Sequence, residues 1–159
     1  MAQEFEQQAS AFGVQGALIA LDIGEKTIGV AACPPERTVA TPVETIRRTK
    51  LTKDAARLSE LCAERHVVGL IIGLPLNMDG TEGPRAQSTR AISRHLLRLL
   101  ELPIAFWDER LSTVAMERAL IDIDVSRAKR RDIIDESAAT FILQGAIDRL
   151  RGMAASETL

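Results

Sequence analysis

The chain has 159 residues, of which 46% are hydrophobic and 26% are charged, and its formal net charge is −2. These values are typical of one globular domain, and they exclude a chain that is disordered throughout or fibrous. No apolar run approaches the ~18 residues that a membrane span requires. Two cysteines, Cys33 and Cys62, cannot build a disulfide framework, so we expect a reduced, cytoplasmic protein.

The charge leaves open whether the partner is a nucleic acid. A net negative charge argues against one. In contrast, 16 of the 20 cationic residues are Arg, the residue that binds phosphate through two parallel hydrogen bonds. A GC-rich coding sequence would produce the same bias, so composition alone decides neither way.

The chain is predicted to begin with an antiparallel meander of three strands. Residues 1–16 are polar and rich in Gln, Ala and Gly, and we expect a flexible tail there. Ala17–Asp22 and Thr27–Cys33 are short apolar runs on either side of a turn that contains glycine, which is typical of a β-hairpin. Thr38–Ile46 is predicted to be a third strand near the sheet edge, because Pro42 cannot donate a hydrogen bond to a neighbouring strand.

Helices and strands are predicted to alternate in the rest of the chain. In order, we expect a helix over 51–62, a buried strand over Val67–Leu74, a loop over 75–83, a helix from Pro84, a strand over Pro103–Trp107, a short helix over Ser112–Ile121 and a long helix over Arg131–Leu150. This order predicts an α/β fold with a mixed five-stranded sheet, parallel in its second part, and helices on both faces. The predicted domain covers residues 17–151, and residues 152–159 are predicted to be a second tail.

Three acidic residues are expected to meet at one edge of this sheet. Ligands of open α/β sheets gather at the carboxyl ends of the parallel strands, and Asp22, Gly73 and Glu109 are each placed at such an end. Asp135 is expected in the first turn of the last helix, on the face that packs on the sheet, where the helix dipole tolerates an acid. Each acid also has a structural explanation: Asp22 could cap the hairpin turn, Glu109 could pair with Arg110, and Asp135 could cap its helix.

A cluster of three carboxylates has a specific chemical consequence. Carboxylates held within a few ångströms repel each other, so at neutral pH they require protons or divalent cations. Ligands that offer only oxygen suit Mg²⁺ or Mn²⁺ rather than zinc. Two such ions about 3.5–4 Å apart can activate a water molecule and stabilise the leaving oxygen in phosphodiester cleavage. The three acids, if they converge, therefore predict metal-dependent hydrolysis.

Four blocks of sequence match one known family in the same order. They are LDIGEKTIGVA (Leu21–Ala31), IIGLPLNMDGTEG (Ile71–Gly83), WDERLST (Trp107–Thr113) and IDESAATFILQ (Ile134–Gln144). Through them the chain resembles, from about Ala17 to Leu150, the YqgF/RuvX family, whose members are described as Holliday-junction resolvases and pre-16S rRNA nucleases. The resemblance implies an RNase H-like fold, and it implies that Asp22, Glu109 and Asp135 are catalytic acids that hold Mg²⁺ or Mn²⁺. Thr27 departs from the family, in which many members have Arg or Ser.

The resemblance implies an endonuclease acting on structured nucleic acid. The substrate would be either pre-16S rRNA at its 5′ end, in ribosome biogenesis, or a Holliday junction, in DNA recombination. Symmetric cleavage of a junction requires two active sites and hence a homodimer, whereas trimming of one rRNA end does not. One alternative is a binding module of the same fold that acts in RNA processing or transcription without cleaving. Another is an actin-like ATPase, which LDIGEKTIGVA also resembles, but such enzymes close two domains over the nucleotide and this length supplies one.

Seven residues are candidates for binding the nucleic-acid backbone. They are Lys26 in the hairpin turn, Asn77 in the loop 75–83, Arg110 after Glu109, and the basic run Arg127, Lys129, Arg130 and Arg131 before Asp135. Cations that neutralise phosphates add an affinity that depends on salt, although each of these side chains could equally be a solvated surface group. The aromatic content of 3% argues against recognition by base stacking. We therefore expect branched DNA or structured precursor rRNA as the partner, and no membrane.

Overall fold

The computed structural model describes residues 2–112, 121 and 126–157. For residues 2, 127, 128, 130–136, 156 and 157 it describes the backbone alone. Most of the predicted short helix Ser112–Ile121 lies outside the described residues, although residues 109–112 are helical. No helix in the described part of the chain is long and apolar enough to cross a membrane.

Five strands form one mixed sheet in the order β3-β2-β1-β4-β5. They are β1 (Ala17–Ile23), β2 (Thr27–Cys33), β3 (Thr41–Arg47), β4 (Val67–Leu74) and β5 (Ile104–Asp108). Strand β2 is antiparallel to both β1 and β3, whereas β4 is parallel to both β1 and β5. The predicted meander followed by parallel strands is confirmed, with β3 beginning three residues later than expected.

The helices cover both faces of the sheet, as predicted. They are α1 (Ala2–Ala9), α2 (Leu51–Arg65), α3 (Pro84–Leu100) and α4 (Arg127–Glu157). Helices α2 and α3 pack with one face of the strands in a core that includes Ile19, Leu21 and Leu58. Helices α1 and α4 cover the other face, in a core that includes Leu18 and Leu143. Because β1 and β4 are covered on both sides, nearly all their residues are buried.

The amino-terminal segment differs from the predicted flexible tail. Helix α1 and the following 3-10 turn (Ser10–Phe12) bury Phe5 and Phe12, and the Phe5 ring meets Trp107 edge-on with centroids 5.1 Å apart. The Gln8 side chain also accepts a 2.9 Å hydrogen bond from the backbone N–H of Phe106, and so pairs with the strand at the sheet edge. Burial of two aromatic rings explains why a polar-looking segment is ordered.

The carboxyl-terminal helix is longer than predicted at both ends. It begins at Arg127 rather than Arg131, and it continues to Glu157, through most of the predicted second tail. At its start, the Ser126 hydroxyl oxygen accepts a 3.3 Å hydrogen bond from the Lys129 N–H, which is the bond of an N-cap residue. The early start moves Asp135 out of the first helical turn.

Candidate active site at the strand ends

Asp22 and Glu109 lie together where the parallel strands end. Asp22 is the second-last residue of β1, and Glu109 directly follows β5. Their side chains share a hydrogen bond. Gly73, on the strand between them, makes room for the pair: a Cβ atom at this position would lie only 2.6 Å from Glu109 Oε1. The predicted convergence of Asp22, Gly73 and Glu109 at one edge is therefore seen in the structure.

The Glu109 carboxyl is an acid in an unfavourable position for a negative charge. Burial raises the pKa of Glu109, and the charge of Asp22 and the hydrogen bond with it raise the pKa further, to about 8. Asp108 acts in the same direction, whereas the positive charge of Arg85 lowers the pKa. A hydrogen bond between two carboxyl groups requires that one of them holds a proton. At neutral pH the pair therefore demands a proton or a cation.

Arg110 does not neutralise Glu109, contrary to the structural explanation offered for that acid. The Arg110 guanidinium instead binds Asp108, with Nε 3.0 Å from Oδ1 and Nη2 2.7 Å from Oδ2. A third donor, Nη1, lies 3.1 Å from the backbone oxygen of Met78. Arg110 thus fastens the end of β5 to the loop 75–83, and its predicted contact with nucleic acid stays a prediction.

The loop 75–83 beside the acids is held by its own hydrogen bonds. The Asn77 side chain donates to Thr81 Oγ1 at 2.9 Å, and the Asn77 N–H donates to the Thr81 backbone oxygen at 2.9 Å. Asp79 accepts bonds from the Thr81 hydroxyl and N–H, and these bonds lower the pKa of Asp79. Asn77 is exposed, so a role in binding nucleic acid stays a prediction beside this structural one.

Asp135 is placed by the backbone alone, because its side chain lies outside the description. It is the ninth residue of α4, so the dipole of the first turn does not account for an acid here, contrary to our expectation. One helical turn later, Ala139 packs on β2: a Cβ at Gly29 would lie 3.6 Å from Ala139 Cβ and 3.7 Å from Asp22 Cβ. Asp135 is therefore one turn from the point where α4 crosses the sheet beside Asp22.

The other predicted binding residues fall into two groups. The Lys26 side chain is exposed in the turn between β1 and β2, close in sequence to Asp22. Lys129 is exposed in the first turn of α4. The side chains of Arg127, Arg130 and Arg131 lie outside the described residues. Whether any of these cations binds phosphate stays a prediction.

The described metal-ligand candidates suit a hard divalent cation. Asp22 and Glu109 offer carboxylate oxygens, the ligands that Mg²⁺ and Mn²⁺ prefer, and a cation would remove the repulsion that raises the pKa of Glu109. Within the described side chains, no group of three or more His, Cys, Asp or Glu residues is arranged to hold a metal ion. The third ligand of the predicted site, Asp135, is not among those side chains.

Sequence reasoning missed one cation near the acids and misplaced another. Arg85, in the first turn of α3, is near enough to Glu109 for its charge to lower the pKa of that acid. The sequence contained a signal for Arg85, because a helix that starts after the β4 loop begins at the same edge of the sheet as Asp22. The spacing of Arg90, Arg94 and Arg98 in the sequence predicts a solvated helix face. In the structure, Arg90 instead bridges Glu4 and Glu82 and stacks over Phe106. The partner that fixes Arg90 lies in the segment predicted to be a tail.

Comparisons with known proteins agree with this architecture. A model of the RuvX family, described as "Holliday junction resolvase", matches residues 16–149. A Rhodopseudomonas palustris (strain TIE-1) protein named "Putative pre-16S rRNA nuclease" is 65% identical over 144 residues, 91% of this chain and 90% of the relative. A Bradyrhizobium sp. (strain ORS 278) protein of the same name is 65% identical over 136 residues, 86% of this chain and 84% of the relative.

A solved structure extends the comparison to the fold. Thermus thermophilus RuvC in complex with a Holliday junction substrate aligns with 85% of this chain and 96% of its own, at a TM-score of 0.54 and 10% identity. At that identity the likeness concerns the fold alone, which is RNase H-like, as the resemblance implied. The family model covers most of the chain and the relatives are 65% identical, so this chain belongs to the YqgF/RuvX family.

Proposed function

We propose that this chain is a divalent-metal-dependent endonuclease that hydrolyses phosphodiester bonds in structured nucleic acid. The hydrogen-bonded pair of Asp22 and Glu109 carries the proposal, because two half-buried acids held together at the strand ends are costly unless a cation is held there. Family membership and the names of the 65% identical relatives support the same class of reaction. The proposed metal ligands are Asp22, Glu109 and Asp135.

The chain's own residues would prepare the site in three ways. Asp22 and Glu109 present oxygens from two strands of a rigid sheet, so the ligand positions are fixed before substrate arrives. Gly73 leaves the space that the Glu109 side chain fills. Arg110 and Asp108 anchor the loop 75–83 beside them. Mg²⁺ or Mn²⁺, when bound, would supply the positive charge that activates water and stabilises the leaving oxygen.

The first substrate to consider is pre-16S rRNA, because the relatives that are 65% identical are named for it, and we propose its 5′ end as the place of cleavage. The description of the family model makes a Holliday junction the second. The two differ in stoichiometry, since symmetric cleavage of a junction needs two active sites and therefore a dimer. Sedimentation with and without a four-way junction separates them: a strict monomer on the junction would count against resolution.

Cleavage by purified protein tests the proposal. We expect the wild type with Mg²⁺ or Mn²⁺ to cut a precursor 16S rRNA fragment or a four-way DNA junction. Asp22→Asn and Asp135→Asn should abolish cutting while circular dichroism and binding stay close to wild type. Glu64→Gln is the control, because Glu64 is exposed in the last turn of α2, just before the opposite end of β4.

The rival candidate is a binding module that keeps the fold without cleaving. A module of this kind would bind both substrates, leave them intact with either metal, and be indifferent to Asp22→Asn. Undiminished cleavage by Asp22→Asn would refute the assignment of the acids, and intact substrate with wild-type protein would favour the module.

A further inference from the structure

An open cavity of about 220 Å³ lies between the β1–β2 turn and the start of α3, at the end of β1 that carries Asp22. Its lining includes Ile23, Gly24, Arg48, Arg85 and Ser88. Ile23 directly follows Asp22 at the end of β1, so the cavity opens at the same edge of the sheet as the candidate site, on the face that α2 and α3 cover. None of these five residues belongs to the set proposed above to hold metal.

Two arginines line this cavity, and neither forms a salt bridge with a described carboxylate. Arg85 makes no salt bridge or side-chain hydrogen bond among the described residues. Arg48 donates from Nη1 to the backbone oxygen of Gly24 at 2.7 Å, which fixes its guanidinium against the hairpin turn. All the side-chain bonds described for Arg48 leave from that one nitrogen, and a guanidinium carries five N–H donors. Glu25 is the one acid among the described residues that line the cavity.

The position of Arg85 is unfavourable for the helix that carries it. The positive end of a helix dipole favours acids in the first turn, and α3 has none there but has Arg85 instead. Arg85 does not stabilise the helix dipole of α3, whereas an anion bound in the cavity would stabilise it. The positive charge of Arg85 is also near enough to Glu109 to lower the pKa of that acid.

We propose that Arg85 and Arg48 bind a backbone phosphate of the nucleic-acid substrate in this cavity, beside the bond that is cut. The inference rests on the proposed function and deepens it, because it states where the strand enters the site. Guanidinium groups suit this task, since they bind phosphate oxygens through paired hydrogen bonds. The fixed Arg48 would orient the phosphate, and the exposed Arg85 would close on it.

The test measures binding in EDTA, where no metal-dependent cleavage can occur, with labelled precursor 16S rRNA and four-way DNA junction at several salt concentrations. For Arg85→Ala we expect affinity to fall about tenfold and the slope of log K against log salt to fall by about one. Arg85→Lys should restore the slope. Thermal unfolding of Arg85→Ala should be unchanged or shifted upward, because Ala suits the first turn of the helix at least as well as Arg.

The matched control is Arg65→Ala, an exposed arginine in the last turn of α2, just before the opposite end of β4. It removes the same charge, and we expect it to leave the salt slope unchanged. The phosphate site is overturned if Arg85→Ala binds as the wild type does, if Arg65→Ala is equally weakened, or if the wild type does not bind.

The two proposals fail in different readouts. Wild-type protein that binds but never cuts with Mg²⁺ or Mn²⁺ would refute the nuclease and leave the phosphate site standing. Wild-type protein that cuts while Arg85→Ala binds normally would refute the phosphate site and leave the nuclease standing.

Discussion

Glu109 carries the electrostatic cost of the candidate site, because its carboxyl group is partly removed from solvent and lies beside Asp22. Its pKa rises from 4.5 to about 8 in the fold, so the folded state binds this proton more tightly than the unfolded state does. The resulting stability is fully present below pH 4.5 and is lost as the pH rises toward about 8. In metal-free buffer we predict that urea midpoints fall across this window.

Two comparisons isolate the effect of Glu109 from other groups that titrate. Glu109→Gln should flatten the fall of the urea midpoint with pH, and addition of Mn²⁺ to the wild type should reduce it, because a cation replaces the proton. A fall of the same size in Glu109→Gln and in wild type would show that Glu109 is not its source.

Gly73 offers a second test at the residue scale. In Gly73→Ala the new Cβ would lie 2.6 Å from Glu109 Oε1 and 2.6 Å from Ile142 Cδ1, so the acid or helix α4 must shift. We predict a loss of about 1–3 kcal/mol in the free energy of unfolding and a larger loss of cleavage. Gly152→Ala is the control, since a Cβ added at Gly152 would meet nothing within 4 Å. Because Gly152 lies in α4, we expect this Ala to raise the free energy of unfolding by about 0.5–1 kcal/mol. Equal unfolding free energies in wild type and Gly73→Ala would contradict the crowding.

At the scale of elements, helix α1 is the clearest difference from the sequence prediction. Phe5, Ala9 and Phe12 recur at helical spacing, so a signal was present in the sequence. An isolated helix of eight residues is nevertheless marginal in water, and α1 forms because Phe5 packs on Trp107. Arg37 holds the turn that follows α1 by donating to the backbone oxygen of Phe12 at 3.0 Å. Contacts with residues distant in the sequence cannot be predicted from the local pattern of a polar segment.

The docking of α1 gives a measurable prediction. Phe5 is 2% exposed and Val14 is 92% exposed, so the two positions form a matched pair in the same segment. We predict that Phe5→Ala lowers the free energy of unfolding by about 3 kcal/mol, whereas Val14→Ala changes it by under about 0.5 kcal/mol. Urea denaturation measures both. A negligible effect of Phe5→Ala on the free energy of unfolding would contradict the docking of α1 and favour the predicted flexible tail.

The start of α4 shows the limit of periodicity as a guide. The pattern of small and apolar residues begins near Ala138, and the basic run before it reads as loop. The N-cap bond of Ser126 instead starts the helix at Arg127. A serine followed by helix-forming residues was the available signal. The correction matters for function, because it removes the explanation of Asp135 as an acid of the first turn.

At the scale of the whole molecule, the sheet was predictable and the pairing of its charges was not. Continuous apolar runs in β4 and alternation of helices with strands determine a parallel sheet, and with it the edge where Asp22 and Glu109 meet. Which acid each arginine binds depends on how far its side chain extends. Arg110 binds Asp108 rather than its neighbour Glu109, and Arg90 binds Glu4, 86 residues away.

The central claim is that the half-buried acid pair of Asp22 and Glu109 is a cation site, and calorimetric titration with Mn²⁺ at pH 7 in two buffers of different ionisation enthalpy tests it most directly. With the pKa of Glu109 at about 8, we predict saturable binding that releases about one proton per chain, and loss of binding in Asp22→Asn and Glu109→Gln but not in Glu64→Gln. Absence of saturable binding, or binding that survives in Asp22→Asn, would contradict the claim.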